Sequence, residues 1–216
     1  MTELRTEEEQ FEALKNWWQA NSRSLFGGVV SLIIVIMGWH YWQNQQQEKI
    51  DQASNYYHSM LATLQSTDGQ LDQEDIVKVS QLATQLRNEY SNTPYAIYAA
   101  LVMARLAVNQ HELSLAQQQL QWVLNQKTDP QLLNVTRIRM ARVLTAMGKL
   151  DQALSVLDDT FDPKWESNRL QVKGDILLQQ GDVAKARIAY EAAQEMIDAT
   201  GMSAPLLRLK LNDTAR

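Results

Sequence analysis

The 216-residue chain contains no cysteine, which excludes disulfides, thiolate nucleophiles and zinc–thiolate sites. Its formal net charge of −5 and the lack of a basic stripe interleaved with aromatic residues argue against nucleic-acid binding. Its length is sufficient for one domain with its own core or for a short repeat array.

The stretch from Ser24 to Gln47 carries no formal charge and has an apolar centre from Leu25 to Met37. A hydrocarbon core of roughly 30 Å requires about 20 helical residues, so we predict a transmembrane helix over residues 24–42. A buried core helix is the alternative, but such a helix normally keeps a polar face. Aromatic residues that favour the lipid headgroup region bracket the span. They are Trp17, Trp18, Trp39, Tyr41 and Trp42.

The residues around the span predict its type and orientation. An acid-rich lead precedes it and no small-residue cleavage site follows it, so an uncleaved anchor fits better than a signal peptide. Lys15 and Arg23 flank the span on the N-terminal side, whereas only Lys49 lies close on the other. Because basic flanks tend to stay inside, we predict that residues 1–23 form a cytoplasmic lead and that the chain after Trp42 is translocated.

Amphipathic segments lie on both sides of the span. Glu7 to Gln19 has apolar residues on one face and predicts a short helix along the cytoplasmic surface. Residues 43–66 contain neither proline nor glycine, and their apolar positions recur at spacings of three and four. We therefore predict that the membrane helix continues as a stalk, which docks its apolar face on the domain that follows.

Prolines and turn residues recur at regular intervals along the rest of the chain. A good N-cap residue precedes proline at three places, and the prolines are 36 and 33 residues apart. The pairs are Thr93-Pro94, Asp129-Pro130 and Asp162-Pro163. Turns at Asn109–His111, Gly148 and Gly181 divide each period into two helices. Two helices in a period of about 34 residues are typical of tetratricopeptide repeats.

The internal positions of the repeats also match. Small residues are expected where paired helix axes cross closely, with a large residue one turn later. The small positions are Ala116, Ala153 and Ala186, and the large ones are Leu120, Leu157 and Tyr190. The predicted fold is therefore all-α: a single transmembrane helix, a helical stalk, and a tetratricopeptide-like α-solenoid of about three helix pairs over residues 73–213. The helices before Tyr90 and a helix at Ser203–Asn212 cap the array.

The acidic lead, the single span ending in Gly38-Trp39-x-Tyr41-Trp42 and the tetratricopeptide-like tail together resemble the YfgM family of ancillary subunits of the bacterial SecYEG translocon. The resemblance implies an inner-membrane protein with a periplasmic domain. It also implies work beside the translocon with the membrane-anchored periplasmic chaperone PpiD, and a link to envelope stress signalling. It implies no catalytic residue.

The residues themselves also give no support for an enzyme. His40, His58 and His111 are too scattered in sequence to form a metal-ligand set. The glycines form neither a dinucleotide fingerprint nor a phosphate-binding loop. We expect no cofactor, no metal and no enzymatic activity.

The remaining candidate site is a binding surface. In tetratricopeptide arrays the first helix of each pair lines the concave face. The register places there Tyr98, Leu101, Arg105, Val108, Val135, Ile138, Arg142 and Asp175. Arg105, Arg142 and Asp175 fall at equivalent places and form a charged row beside an apolar strip, which would suit an extended or helical peptide. The alternative is that the protein's own stalk or terminal helix fills the groove.

These features predict a non-enzymatic, membrane-anchored adaptor or chaperone at the Sec translocon. Its expected ligands are a partner chaperone or emerging secretory proteins. The alternative is an anchored scaffold for another envelope complex, such as the division or outer-membrane assembly machinery.

Overall fold

The computed structural model describes residues 7–65, 71–199 and 203–214. These ranges contain helices and turns but no strand, which confirms the all-α prediction. Contacts divide the chain into two units, residues 1–52 and 53–216. The helices are α1 (Glu7–Gln65), α2 (Gln73–Glu89), α3 (Pro94–Asn109), α4 (Leu113–Leu124), α5 (Pro130–Ala146), α6 (Leu150–Leu157), α7 (Pro163–Gln179), α8 (Val183–Asp198) and α9 (Pro205–Asp213).

The first unit is the N-terminal part of α1. The large apolar side chains described between Phe26 and Met37 are 47–67% exposed. Within the described residues, α1 is the one helix long and apolar enough to cross a membrane. An uncovered apolar stretch of this length is suited to a lipid environment.

The prediction of a separate short helix at Glu7–Gln19 is wrong, because α1 continues through this point without a break. No proline or glycine interrupts the chain between Gln19 and Ser24. The side-chain amide of Asn21 donates a hydrogen bond to the carbonyl oxygen of Trp17 at 3.0 Å, one turn back along the helix. The polar residues here therefore extend the helix.

The second unit begins with the end of α1, whose apolar face packs as the stalk prediction expected. Ala53 and Met60 are fully buried in a cluster with Leu86 of α2 and Met103 of α3. The polar break predicted at Ser66–Asp72 lies mostly outside the described residues. Within the second unit, α1 therefore ends as part of the domain core.

The prolines begin helices where the sequence predicted. Pro94, Pro130 and Pro163 each occupy the first turn of α3, α5 and α7. The carboxylates of Asp129 and Asp162 accept backbone N–H bonds of 2.8 and 2.9 Å in the first turns of their helices. Proline has no N–H to lose at this position and its φ suits a helix, so the prolines favour these helix starts. Thr93 lies at the N-cap of α3, but its side chain makes no capping hydrogen bond.

The turns inside the three helix pairs share one backbone conformation. His111, Gly148 and Gly181 have φ values of 61°, 75° and 86°, in the left-handed region. After each of them a backbone N–H donates back across the turn, as from Glu112 to the carbonyl oxygen of Ala107 at 2.8 Å. Glycine adopts this conformation without a Cβ penalty, whereas histidine must bear one.

The predicted crossing positions are buried as expected. The small residues Ala116, Ala153 and Ala186 are fully inaccessible, and the large residues Leu120, Leu157 and Tyr190 are at most 1% exposed. The main core spans α3 to α7, and a smaller cluster joins α7, α8 and α9. The crossing positions predicted from the repeat period are therefore the crossing positions of the fold.

Candidate functional site: a hollow between α3, α4 and α5

The second unit contains a hollow of about 410 Å³ between the first helix pair and the start of the second. Its walls are matching faces of α3 and α5, each offering four residues at the i, i+3, i+4 and i+7 positions of a helix. The α3 residues are Leu101, Ala104, Arg105 and Val108, and the α5 residues are Arg139, Arg142, Val143 and Ala146. Leu113 and Leu120 of α4 complete the lining.

Helix packing explains why the hollow lies here. Helices α3 and α5 each pack against α4, whereas α5 also packs directly against α7. The small side chains of Ala104 and Ala146 leave space between α3 and α5, and Leu113 and Leu120 close its base. The result is a depression with an apolar base between two helix walls.

Arginines supply the charge of the hollow. Arg105, Arg139 and Arg142 are exposed, and no carboxylate is among the lining residues. Among the described residues, none of the three makes an ion pair or side-chain hydrogen bond. By contrast, Arg137 on the same α5 helix reaches Asp159 at 2.5 Å. The hollow therefore combines apolar surface with unneutralised positive charge.

Four of the predicted groove residues come together in this hollow: Leu101, Arg105, Val108 and Arg142. Val135 and Ile138 do not line it, and Ile138 is only 4% exposed within the core. The face of α5 predicted from the sequence therefore lies closer to the core than the face that lines the hollow. A shift of one residue along a helix rotates the chosen face by about 100°.

Several residues that line the hollow were not predicted from the sequence. Arg139 is the most informative of them, because it adds a second cation to the α5 wall. Its place one turn before Arg142 was the available signal. Leu120, which the sequence predicts at a helix crossing, also borders the hollow, as do Ala104 and Leu113.

Tyr98 lies outside the lining and contacts the end of α1. Its ring centroid is 5.9 Å from that of Tyr57 and 6.5 Å from that of Tyr95. Burial, followed by the effect of neighbouring Tyr98, raises the pKa of Tyr57. At this position the protein's own stalk therefore contacts the predicted surface, which matches part of the self-filled alternative.

Asp175 differs most from its predicted role as the third member of a charged row. Its Oδ1 accepts hydrogen bonds from the hydroxyl of Tyr190 at 2.7 Å and from Nζ of Lys210 at 2.5 Å. Lys210 also lies over the Tyr190 ring, 5.7 Å from its centroid. Asp175 thus connects α7 to α8 and α9, a contact hidden in the sequence because Lys210 is distant along the chain.

The residues predicted for the membrane interface all lie on α1. Trp17, Trp18, Trp39, Tyr41 and Trp42 are each more than half exposed. Trp39 and Trp42 contact each other with ring centroids 5.5 Å apart. At the helical rise, Trp18 and Trp39 are separated by about 30 Å, the thickness of a hydrocarbon core. Their role at the headgroups stays a prediction.

The described ranges contain no group of three histidine, aspartate or glutamate side chains arranged to hold a metal ion. The described structure combines an exposed apolar helix, an array of helix pairs and the hollow. Together they define a class: membrane-anchored helical-repeat scaffolds whose chemistry is that of binding.

Comparison with known proteins narrows this class. A family model described as "Tetratricopeptide repeat-like domain" matches residues 15–216. The chain is 30% identical over 207 residues to the "Ancillary SecYEG translocon subunit" of Escherichia coli (strain K12), with 96% of each chain covered. The proteins of that name from Aggregatibacter actinomycetemcomitans and Haemophilus influenzae are 30% and 29% identical, covering 96% of this chain and 97% of theirs.

The chain belongs to the family of ancillary SecYEG translocon subunits. This confirms the family resemblance inferred from the span and the repeats. The fold and the names of the relatives indicate a non-catalytic protein with an ancillary role. No solved structure gives a significant match.

Proposed function

We propose that this protein is a membrane-anchored adaptor at the SecYEG translocon, and that its helical-repeat domain binds a partner chain in the hollow between α3, α4 and α5. The names of its relatives support the location. The single observation that carries the binding role is the hollow itself. Its apolar lining can bury apolar side chains of a partner, the usual source of binding energy in such grooves.

In this proposal the protein spans the bacterial inner membrane once, with its N-terminus in the cytoplasm and its repeat domain in the periplasm. The excess of Lys15 and Arg23 over Lys49 supports this orientation. Protease added to spheroplasts should therefore degrade the repeat domain. A repeat domain that is cleaved only after lysis would reverse the orientation.

The partner segment belongs to the translocon, to the chaperone PpiD that the family resemblance implies, or to an emerging secretory protein. The alternative is an anchored scaffold for a division or outer-membrane assembly complex. The apolar hollow suits either role, but the names of three relatives favour the translocon. Isolation of the full-length protein distinguishes the adaptor role from the scaffold role, because each role predicts a different set of co-isolated membrane proteins.

The test is isolation of the full-length chain from membranes in mild detergent, with partners quantified by mass spectrometry. Val108 lines the hollow and is 39% exposed, so Val108→Trp should obstruct the hollow and reduce the recovery of translocon subunits. Val183→Trp is the matched control, at a 44% exposed valine on α8 that is not among the lining residues. Recovery of a different envelope complex, without translocon subunits, would favour the scaffold alternative.

A further inference from the structure

We infer that the hollow binds an acidic amphipathic segment of a partner protein, in which carboxylates flank large apolar side chains. The carboxylates pair with Arg105, Arg139 and Arg142, and the apolar side chains pack on Leu113 and its neighbours. This inference rests on the proposed function, because it names the chemistry of the partner that the hollow receives.

The arginines of the hollow lack acidic partners. Elsewhere in the second unit, three of the five described arginines, Arg137, Arg169 and Arg187, pair with a carboxylate of the same chain, and Arg87 donates to the side chain of Gln119 at 3.0 Å. In the described part of the chain, the three arginines of the hollow make no such pair. Their positive charge is concentrated there although the whole chain has a net charge of −5. An acidic ligand would supply the missing partners.

Positive charge lies on both walls of the hollow, beside apolar surface. Arg105 belongs to the α3 wall, whereas Arg139 and Arg142 lie one turn apart on the α5 wall. Leu101, Leu113 and other apolar residues line the hollow along with these cations. A segment seated between the walls would place carboxylates toward both sides and its apolar groups toward the base. A polyanion without apolar side chains would leave that base exposed to water.

The two segments of the protein that could fill its own hollow are the end of α1 and the terminal helix α9. The end of α1 packs against α2 and α3 in a separate cluster. Leu207 of α9 is buried with Tyr190 in the cluster formed with α7 and α8. No residue of α1 or α9 is among the residues that line the hollow. Among the described helices, those two candidates for self-filling are therefore engaged elsewhere, which favours an external partner.

The test uses the full-length protein in lipid nanodiscs and three fluorescent synthetic helical peptides of equal length. The first has leucines on one face and glutamates flanking them. In the second lysine replaces each glutamate, and in the third serine replaces each leucine. Fluorescence anisotropy should show the tightest binding for the first peptide, and added salt should weaken it. We expect the other two to bind at least about tenfold more weakly.

Charge-reversal variants then locate the site. Arg105→Glu combined with Arg142→Glu should weaken binding of the acidic peptide by about tenfold or more and improve binding of the lysine peptide. Arg208→Glu is the matched control, because Arg208 is exposed on α9 and is not a lining residue. Circular dichroism should give the same helix content for the unaltered protein, the double variant and the control variant.

Equal binding of the acidic and basic peptides would overturn the inference, as would unchanged binding by the double variant. The proposed function is judged by a separate readout, the recovery of translocon subunits with the intact protein. If those subunits are recovered but the peptides show no charge preference, the acidic partner is rejected and the adaptor role stands. If the peptide preference is found without translocon subunits, the adaptor role at the translocon is rejected.

Discussion

The aromatic ring of Tyr190 occupies the space that any side chain at position 174 would need. A Cβ atom built on Gly174 would lie 2.6 Å from Cδ1 and 2.9 Å from Cζ of that ring. Gly174 lies on α7 and Tyr190 on α8, so this contact is where the two helices of the last pair cross. The tyrosine is fully buried and its hydroxyl bonds Asp175, which leaves the ring little freedom to move.

Gly174→Ala should therefore destabilise the second unit, although alanine is the better helix former. Overpacking typically costs about 1–3 kcal/mol, and we expect a loss in that range from urea unfolding of the full chain. Tyr190→Leu removes the ring, so the same glycine substitution in that background should cost less. Additive effects of the two substitutions would mean that the contact does not limit the packing.

Ala153 tests the crossing in the second helix pair. It is fully buried, and Ala153→Leu should lower the free energy of unfolding by about 1–3 kcal/mol through overpacking. Ala199→Leu is the control, because Ala199 is exposed at the end of α8. Thermal melts followed by circular dichroism would measure both. Equal and negligible shifts would contradict the observed register.

His111 provides a prediction of increased stability. It holds a left-handed φ of 61° at the turn position that glycine occupies in the other two pairs. His111→Gly should stabilise the domain by roughly 0.5–1 kcal/mol. Removing the Cβ relieves the strain of the left-handed conformation. This gain should exceed the free-energy cost of the greater conformational entropy that glycine gives the unfolded chain. His111→Ala keeps a Cβ and should bring no such gain. A loss of stability in the glycine variant would show that the imidazole contributes more than its backbone conformation costs.

The ion pair between Glu166 and Arg169 predicts a dependence of stability on pH. The hydrogen bond from Arg169, opposed by partial burial and aided by the charge of the guanidinium, holds the pKa of Glu166 below its ordinary value of 4.5. A carboxyl group whose pKa is depressed by folding stabilises the native state above its unfolded pKa. That contribution is lost as pH falls through the folded pKa.

Glu166→Gln should therefore narrow the difference in melting temperature between about pH 7 and about pH 3 relative to the unaltered protein. The same guanidinium also donates to the carbonyl oxygen of Leu157 at 3.2 Å, so the arginine itself should be kept. Glu191→Gln is the control, since Glu191 pairs with Arg187 on the exposed surface of α8 and such pairs contribute little. An equal effect of the two substitutions would contradict the assignment to Glu166.

Local signals in the sequence were sufficient to predict the helix starts and the crossing positions of the repeat domain. Pro94, Pro130 and Pro163 mark helix starts because a proline N1 position depends only on neighbouring residues. The crossing positions at Ala153 and Ala186 follow from the repeat period, since each repeat packs in the same way. Such patterns recur along the chain and can be recognised without knowing the tertiary structure.

The hollow could be predicted only in part, because it depends on contacts between distant residues. Arg105 and Arg142 were found from equivalent repeat positions, whereas the inclusion of Arg139 depends on how α5 rotates against α4. Asp175 had an equivalent position but a different environment, since α9 returns Lys210 to it. An interruption was predicted after Gln19, where a continuous helix forms, because polar residues alone do not terminate a helix.

Site-specific photo-crosslinking in living cells tests the central claim most directly. A photoreactive residue at Val108, on the rim of the hollow, is compared with one at Gln118, which is exposed on α4 and is not a lining residue. We predict crosslinks from position 108 to a translocon subunit, a membrane-anchored chaperone or an emerging secretory chain, and few from position 118. Crosslinks from position 108 only to residues of the same chain, or equal crosslinking from both positions, would contradict the account.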